Sequence, residues 1–558
     1  MKEKYIELME QVFLAYSIEK IDDYTQKTKE FGLSEHGFPR LTSNLGILIA
    51  HGKKSELKNK FIEMMNLCCD EIPTALENNG RSVGNDFSVK EIIFCLLELE
   101  KANVVDKKLT DRWRKCLECI VPNETYSVIS PVPPERIGNW AAFGAASEQV
   151  RKYAGIGNED EFIENQIKSQ LFSFDSNGMY RDPGEPMVYD FVTRLQLAVI
   201  MHFGYRGESY KELEEHFLKA ADITLMMQSV SGEIPFGGRS NQFLHNEAFF
   251  AALCEFYAAF FKRKCDKQKA VRFKQAAKRA IDNLIIWLRN DVIHHVKNHY
   301  DIDSNYGCES YAYFDKYMVT TASWLYLAYI FSDDINDVDD IVETENYICE
   351  TSQYFHKVFS RFNDYFIEID TNADIHYDCS GLGRVHKKGA PSAICLSTPF
   401  SKTPDYCLDI ENPTNYSICG GVVTQDGIIY GFDNNVEYKI VEKYVTEHFA
   451  FIKFECEKDN KLMFYQSFVL SDDGVKVIVE GNDALEITFP VFDFDGKENT
   501  EISIDENRVE VKYNNSVCEF LCDGVIKDNE MVLGNRNGHY KAFSVCGNDK
   551  LSLTIKIN

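Results

Sequence analysis

The stretch Tyr365-Phe366-Ile367-Glu368-Ile369 marks the point at which the spacing of apolar residues along the chain changes. From about residue 362 onward, apolar and polar residues alternate with a period of two, which is typical of β-strands. Before about residue 355, apolar residues recur with the helical period, as they do over 248–261 and 318–331. The change predicts a chain that is helical in its first part and stranded in its second.

The helical part contains roughly ten to twelve segments of ordinary helix length, which we expect to pair as antiparallel hairpins. Glycine- and proline-containing turns such as Asp182-Pro183-Gly184 separate them. Six such hairpins that close into a ring form an (α/α)6 toroid, in which the loops at one end line a central cleft. Dense strands without helices predict an antiparallel β-sandwich. The predicted fold class is therefore α+β multidomain: an N-terminal (α/α)6 toroid, the catalytic domain, over residues 1–358, then a C-terminal β-sandwich over 359–558.

The composition restricts the class of protein. The chain of 558 residues carries 60 Lys+Arg and 87 Asp+Glu, and this net charge of −27 disfavours nucleic acid as a partner. No run approaches the ~18 apolar residues of a membrane span, and no signal peptide is visible at the N-terminus. The 17 cysteines are scattered through apolar runs, as reduced thiols are. We expect a cytoplasmic protein with no membrane partner, and a homo-oligomer is compatible with the sequence.

The sequence lacks the common motifs for binding cofactors and metals. The chain has no P-loop, no GxSxG elbow and no strand-flanked GxGxxG. His295 and His299 have the spacing of a metal pair, but they lack the glutamate of an HExxH motif and an evident third ligand. We therefore expect neither a metal nor a cofactor.

Two loop-to-helix junctions in the helical part contain more polar and aromatic residues than a turn needs. The first holds Asn139 and Trp140, and the second holds Tyr180, Asp182, Asp190 and Arg194. Helix capping is an alternative explanation for Asn139 and Asp190. Otherwise Asp182 and Asp190 are carboxylates of the cleft, and the remaining residues bind substrate.

A third junction spans residues 235–247 and contains the paired glycines Gly237-Gly238, which let the backbone approach a ligand closely. Arg239 follows them and can bind a sugar carboxylate through two parallel hydrogen bonds. On a helix that opens here, residues four apart share a face, so Asn241 aligns with His245. The same segment provides two further polar candidates, Asn246 and Glu247.

A fourth cluster, at 306–317, and a fifth, at 378–389, complete the candidate site. The fourth provides acids and tyrosines for sugar platforms or proton transfer, although tyrosine packing explains part of it. The fifth is a glycine-containing segment of the stranded part. The candidates from the two clusters are Glu309, Tyr311, Tyr313, Asp315 and His386.

Three motifs in chain order resemble those of the helical-toroid proteins known as domain of unknown function 2264, the glucuronidase-like glycoside hydrolase family 154. They are Asn139-Trp140-Ala141-Ala142-Phe143, then Asn177-Gly178-Met179-Tyr180-Arg181-Asp182, then Gly238-Arg239-Ser240 with Ala248. The resemblance covers the helical part and implies an enzyme that acts on glucuronides. The organisation is also similar to that of heparinase II/III-like polysaccharide lyases, and this similarity implies roles for His245, Asn246, Tyr311 and His386.

The function that we predict from these patterns is hydrolysis of glycosidic bonds in uronic-acid-containing oligosaccharides by paired carboxylates. Asp190 and Glu247 are the first candidates for this pair, with Asp182, His245 and Tyr311 as further catalytic residues. Two alternatives remain open. The first is a lyase that works by β-elimination, in which Arg or Asn neutralises the uronate and Tyr or His moves the proton. The second is a carbohydrate-binding protein without catalytic activity.

Overall fold

The computed structural model describes residues 1–74, 84–127, 138–184, 187–288, 292–335, 345–399, 404–411, 416–425, 427–431 and 435–558. The chain forms two compact units. The helical unit comprises Met1–Ala221, Leu244–His295 and Phe314–Asp340. The sheet unit comprises Asp222–Phe243, Val296–Tyr313 and Ile341–Asn558. Two segments of the first part of the sequence thus fold with the sheet unit, and the boundary at 358/359 stays a prediction.

Fourteen α-helices occur among the described residues, all of them before the first strand. They are α1 Lys2–Phe13, α2 Ile18–Phe31, α3 Gly37–Ala50, α4 Lys58–Glu71, α5 Asn85–Ala102, α6 Lys107–Glu118, α7 Pro122–Thr125, α8 Trp140–Tyr153, α9 Asp160–Leu171, α10 Met187–His202, α11 Tyr210–Met226, α12 His245–Arg263, α13 Lys267–Trp287 and α14 Phe314–Phe331. The predicted helices over 248–261 and 318–331 lie inside α12 and α14 and are confirmed.

Local sequence explains where several helices begin. The side chains of Ser17 and Asp266 accept hydrogen bonds from backbone N–H groups in the first turns of α2 and α13, as N-cap residues do. Every residue of α12 from His245 to Phe261 is buried, because this helix packs against both α13 and α14. No helix in the described ranges has the length and apolar character needed to cross a lipid bilayer.

Fifteen strands are described. They are β1 Tyr347–Glu350, β2 Lys357–Phe362, β3 Tyr365–Asp370, β4 Gly381–Lys387, β5 Cys419–Thr424, β6 Gly427–Tyr430, β7 Glu437–Val445, β8 Ala450–Lys458, β9 Lys461–Ser471, β10 Gly474–Phe494, β11 Glu501–Asp505, β12 Arg508–Tyr513, β13 Ser516–Cys522, β14 Ile526–Asn535 and β15 Gly538–Ile557. All of their pairings are antiparallel.

The strands form a four-stranded sheet in the order β1-β2-β3-β4 and an eleven-stranded sheet whose central pair is β10 and β15. One apolar cluster contains residues of both sheets, such as Ile367 and Leu382 of the smaller sheet and Val477 and Leu553 of the larger. Two sheets that share a core form a sandwich. The predicted order of helices followed by an antiparallel sandwich is confirmed.

Strand β3 differs from the prediction in one respect that matters for function. Its alternating sequence predicts one face in the core and one in solvent, yet all six residues are buried. Tyr365, Ile367 and Ile369 face the core of the sandwich. The opposite face is covered by the segment Asp222–Phe243, whose Phe236 N–H donates to the carboxylate of Glu368 at 2.9 Å. A polar strand face is therefore buried beneath a loop that carries candidate site residues.

Candidate functional site

Arg536 occupies the two-residue turn between β14 and β15, where Asn535 pairs with Gly538. The side chain is buried, and its guanidinium donates to the two carboxylate oxygens of Glu309 at 2.6 and 2.9 Å. It also donates to the carbonyl of Gly307 at 2.6 Å, and the ring of Tyr406 lies 4.0 Å from its central carbon. Burial lowers the pKa of Arg536, but Glu309 outweighs this effect and holds it above the ordinary value. Arg536 is the centre of a polar cluster in the sheet unit.

The loop that contains Arg239 is attached to this cluster. Glu309 accepts the backbone N–H of Ser240 at 2.6 Å, and the Ser240 hydroxyl lies 2.9 Å from the hydroxyl of Tyr311. Burial is the largest of the causes that raise the pKa of Tyr377, and the guanidinium groups of Arg536 and Arg239 oppose the rise. Both cations therefore lie within electrostatic reach of one phenol. Arg239 and Tyr311 are only half-buried, so solvent can reach them.

The conformation of this loop corrects one prediction. Helix α12 begins at His245, whereas the sequence predicted a helical face shared by Asn241 and His245. Ser240 and Gln242 have φ angles of 58° and 61°, in the left-handed region that a right-handed helix excludes. Asn241 instead stabilises the loop: its side chain accepts the N–H of Gly237 at 3.1 Å and donates to the carbonyl of Pro235 at 2.8 Å.

Gly237 approaches the buried carboxylate of Asp378, the first residue of the fifth cluster. Its φ is +91°, and a Cβ at this position would lie 1.6 Å from Oδ2 of Asp378. Lys357 donates to the same Asp378 oxygen at 3.1 Å and to the carbonyl of Phe236 at 3.0 Å. Burial, with a contribution from Asp370, raises the pKa of Asp378 to about 6 against the opposing effect of Lys357. The glycine is therefore required both by backbone conformation and by space.

We expect Gly237→Ala to displace the Arg239 loop and to destabilise the protein by about 1–3 kcal/mol or more, because strain and a steric clash add. Gly389→Ala is the matched control, since Gly389 also has a positive φ of +87° but no atom within 4 Å of the added Cβ. Urea unfolding of both variants measures the difference. Equal losses of stability in the two variants would mean that the Asp378 contact is unimportant.

His386 on β4 is fully buried, and within the described residues neither ring nitrogen has a hydrogen-bond partner. Burial, with smaller contributions from Arg384 and Lys297, lowers its pKa to about 3 against the opposing effect of Glu233. The pKa of Glu233 is held at about 2: burial raises it, but Lys297, His386 and Arg384 together outweigh burial. The predicted site residue His386 is thus a neutral imidazole beside a buried ion-pair network.

This neutral histidine has a consequence for stability against acid. A free histidine titrates near 6.5, so between about pH 6.5 and pH 3 the unfolded chain binds a proton that the folded chain does not. His386 should therefore lower the free energy of unfolding by about 1.4 kcal/mol for each pH unit of acidification in that window. We expect His386→Gln to show a shallower pH dependence than the wild type in urea unfolding. His448→Gln, at an exposed position, should leave the dependence unchanged; parallel curves for His386→Gln and the wild type would contradict the assignment.

In the helical unit, Asp190 is held in a buried ion pair. Its two oxygens accept from Nε and Nη2 of Arg194 at 2.8 and 2.5 Å, and one of them also accepts the backbone N–H of Tyr180 at 2.7 Å. Arg194 donates in addition to the hydroxyl of Tyr257 at 3.0 Å. Burial raises the pKa of Asp190, and Arg194 opposes that rise. This arrangement ties the loop before α10 to the helix.

Asn139 and Asp182 are both predicted site residues, and the structure places them in direct contact. The backbone N–H and side-chain amide of Asn139 lie 2.9 and 3.4 Å from Oδ1 of Asp182. Tyr180 donates its hydroxyl to Gln170 at 2.6 Å. Trp140, the first residue of α8, is 37% exposed.

The remaining candidates of the helical unit lie at the starts of two helices. His245, Asn246 and Glu247 open α12 and are all buried. The ring of His245 lies 5.4 Å from that of Tyr317. Asp315 is partly exposed, and its Oδ1 lies 2.5 Å from Nζ of Lys20.

The candidates thus divide between the two units. The sheet unit holds Arg239, Asn241, Glu309, Tyr311, Tyr313 and His386, and the helical unit holds Asn139, Trp140, Tyr180, Asp182, Asp190, Arg194, His245, Asn246, Glu247 and Asp315. Direct contacts join the loop of Arg239 to Glu309 and Tyr311, and Asp190 to Arg194 and Tyr180. The roles assigned to these residues stay predictions. The described residues contain no group of three or more His, Cys, Asp and Glu placed to bind a metal ion.

Sequence reasoning missed Arg536, Glu233, Lys357 and Asp378. The run Asn535-Arg536-Asn537-Gly538 has the composition of a hairpin turn, and such turns are usually exposed. The one available signal was an arginine between two asparagines at a turn. Glu233 and Lys357 are isolated charges with no spacing that distinguishes them from surface residues. Asp378 begins the cluster at 378–389, from which only His386 was chosen as a candidate.

Comparison with known proteins yields no matching family model and no matching curated protein. Solved structures do show similarity. A mutant of the heparan sulfate lyase HepC from Pedobacter heparinus has a TM-score of 0.51 and 12% identity, and covers 93% of this chain and 76% of the lyase. The heparinase III BT4657 gene product has a TM-score of 0.30 and 9% identity, with coverage of 94% and 85%. A GH127 β-L-arabinofuranosidase from Geobacillus stearothermophilus T6 has a TM-score of 0.35 and 9% identity, with coverage of 99% and 98%.

Among these three, only the heparan sulfate lyase exceeds a TM-score of 0.5, and at 12% identity the likeness concerns the fold alone. The predicted combination of a helical toroid with an antiparallel β-sandwich is confirmed by this shared fold. The resemblance to glycoside hydrolase family 154 stays a prediction that rests on its three motifs.

Proposed function

We propose that the protein is an enzyme that cleaves uronic-acid-containing oligosaccharides by β-elimination. The observation that carries the proposal is the hydroxyl of Tyr311, 2.9 Å from that of Ser240, beside a half-buried Arg239 on a loop that Glu309 and Arg536 hold in place. The fold shared with a heparan sulfate lyase supports the same class of reaction.

The residues have distinct roles in this proposal. Arg239 binds the uronate carboxylate and neutralises its charge, which acidifies the proton on the adjacent carbon. Tyr311, as the phenolate, takes that proton, and the electron pair left behind forms a carbon–carbon double bond as the bond to the leaving oxygen breaks. The phenol then returns its proton to the leaving oxygen, so the products are an unsaturated uronate and a new hydroxyl group. Tyr311 and Arg536 lie within electrostatic reach, and a guanidinium favours the anionic form of a nearby phenol.

The contacts of Asp190 and Glu309 make these two carboxylates poor candidates for the pair that hydrolysis requires. Hydrolysis needs one carboxyl group to protonate the leaving oxygen and a second to activate water or attack. Asp190 and Glu309 each use both oxygens on an arginine. Hydrolysis by Asp190 and Glu247 stays a prediction, as does carbohydrate binding without turnover.

One assay separates the three functions. The full-length protein is incubated with unsulfated and sulfated uronic oligosaccharides, and both ultraviolet absorbance and new reducing ends are followed. We expect the two signals to rise together, because elimination creates a conjugated double bond for each bond broken. Reducing ends without absorbance would indicate hydrolysis and overturn the proposal, and saccharide binding without either signal would indicate a binding protein.

A further inference from the structure

Arg40 in α3 of the helical unit has an unusual environment. Its side chain is 3% exposed, and its central carbon lies 5.5 and 5.7 Å from the ring centroids of Phe87 and Trp324. One terminal nitrogen lies 2.8 Å from the hydroxyl of Thr320 and 2.9 Å from Nδ1 of His36. A permanently charged group is thus held between aromatic rings.

Within the described ranges no carboxylate oxygen lies within 4.0 Å of this guanidinium. Burial lowers the pKa of Arg40, and Glu91 and Glu35 oppose that effect from a longer range. Glu91 lies 3.5 Å from Lys90, and Glu35 accepts the backbone N–H of Gly37 at 2.5 Å. Two donors also lack partners there, namely Nε of Arg40 and the indole N–H of Trp324, which is itself buried. Burying an unpaired charge and unsatisfied donors costs free energy.

Two further cations, Lys90 and Lys316, lie within electrostatic reach of Arg40. Lys90 is fully buried and its ammonium lies 4.6 Å from the ring centroid of Phe143. Burial, with a smaller contribution from Arg40, lowers the pKa of Lys90 to about 8 against the opposing effect of Glu91. Burial also lowers the pKa of Lys316, which Arg40 likewise depresses while Glu35 raises it. The three cations repel one another, Glu91 and Glu35 offset part of that repulsion, and a bound anion would reduce the rest.

We propose that Arg40 and Trp324 form a binding site in the helical unit for an acidic group of a saccharide, a carboxylate or a sulfate ester. Nε of Arg40 and the indole N–H of Trp324 are its two donors, and the charge of Lys90 adds to the attraction. Trp140, 37% exposed and with its ring 4.9 Å from that of Phe87, supplies a face for the sugar ring. The identity of the ligand as an acidic saccharide rests on the proposed function; the anion site itself rests on the geometry of the helical unit.

The test is calorimetric titration of the full chain with an unsulfated uronic tetrasaccharide, a sulfated one of the same backbone, and one whose carboxylates are reduced to alcohols. We expect Arg40→Met to weaken binding of the acidic ligands about tenfold or more, because charge-assisted hydrogen bonds are lost, and to leave the reduced ligand unaffected. If only the sulfated ligand responds, the group bound is a sulfate. Arg112→Met is the control, since Arg112 is an exposed residue of the same unit that pairs with Asp70.

Thermal unfolding distinguishes ligand binding from a purely structural role. We expect Arg40→Met to keep or raise the thermal midpoint, because it removes an unpaired buried charge. A lower midpoint with equal loss of affinity for acidic and reduced ligands would overturn the inference, as would unchanged affinity.

Arg40→Lys, which keeps the charge but not the planar donor geometry, provides the same comparison should the methionine variant not fold. Arg40-dependent binding without any turnover by the wild type would overturn the proposed function and leave this inference standing.

Discussion

Replacing Tyr311 by phenylalanine is expected to lower kcat about 10²–10⁴-fold, since a positioned acid or base contributes roughly that factor. The change removes one oxygen atom from a half-buried side chain, and with it the contact to the hydroxyl of Ser240. Folding should therefore be little affected, and saccharide binding should persist because Arg239 is retained. The expected signature is a fall in kcat at nearly constant KM, measured by the ultraviolet absorbance of the unsaturated product.

Two companion variants make the Tyr311 result interpretable. Tyr444→Phe removes the same atom from a 41% exposed tyrosine on β7 and should leave the rate unchanged. Ser240→Ala should lower kcat to a smaller extent, because it removes the hydroxyl that orients the phenol. Wild-type kcat in Tyr311→Phe would exclude Tyr311 as the acid–base group, and a matching fall in thermal midpoint would point to structural damage instead.

Arg536→Gln should be the most destabilising of the substitutions discussed. It leaves the carboxylate of Glu309 buried without its bidentate partner, and breaking a buried pair on one side typically costs about 3–5 kcal/mol. It also removes a donor to the carbonyl of Gly307. Urea unfolding of the full chain, followed at equilibrium, measures the loss.

A double-mutant cycle with Glu309→Gln isolates the ion pair. Because two neutral amides remove the uncompensated charge, we expect the double variant to be more stable than Arg536→Gln alone. Arg508→Gln is the control, since Arg508 pairs with Glu510 and Glu519 at a partly exposed site where such pairs contribute about 1 kcal/mol or less. Strictly additive losses would show that Arg536 and Glu309 act independently.

The fold was largely predictable because it depends on local periodicity. The apolar repeat over 248–261 predicts α12, and the period of two over 365–369 predicts β3. What periodicity cannot reveal is which element covers a polar face. Glu368 alternates with apolar neighbours as a solvent-facing residue does, yet it is buried by Phe236, 132 positions earlier in the chain.

The candidate site was predictable only in part, because some of its contacts join residues that lie far apart in the chain. Paired glycines and an arginine identified the loop at 237–240, and Tyr311 and Glu309 stood out in a tyrosine-rich segment. Their common partner Arg536 lies 227 positions from Glu309, in a run that reads as an exposed hairpin turn. A bond formed over such a separation depends on topology, which no local pattern encodes.

The assignment of Asp222–Phe243 and Val296–Tyr313 to the sheet unit bears on how the protein is made. During synthesis both segments leave the ribosome before any strand of the sandwich has been translated. They can pack in their final positions only after those strands have been made. The strands in turn need both early segments to complete their packing. Without them, Lys357 would be buried without the carbonyl of Phe236, and Arg536 without the carboxylate of Glu309. A fragment that begins after residue 345 therefore lacks pieces of its own interior, and neither unit is a module that evolution or an experimenter can transplant by a single cut.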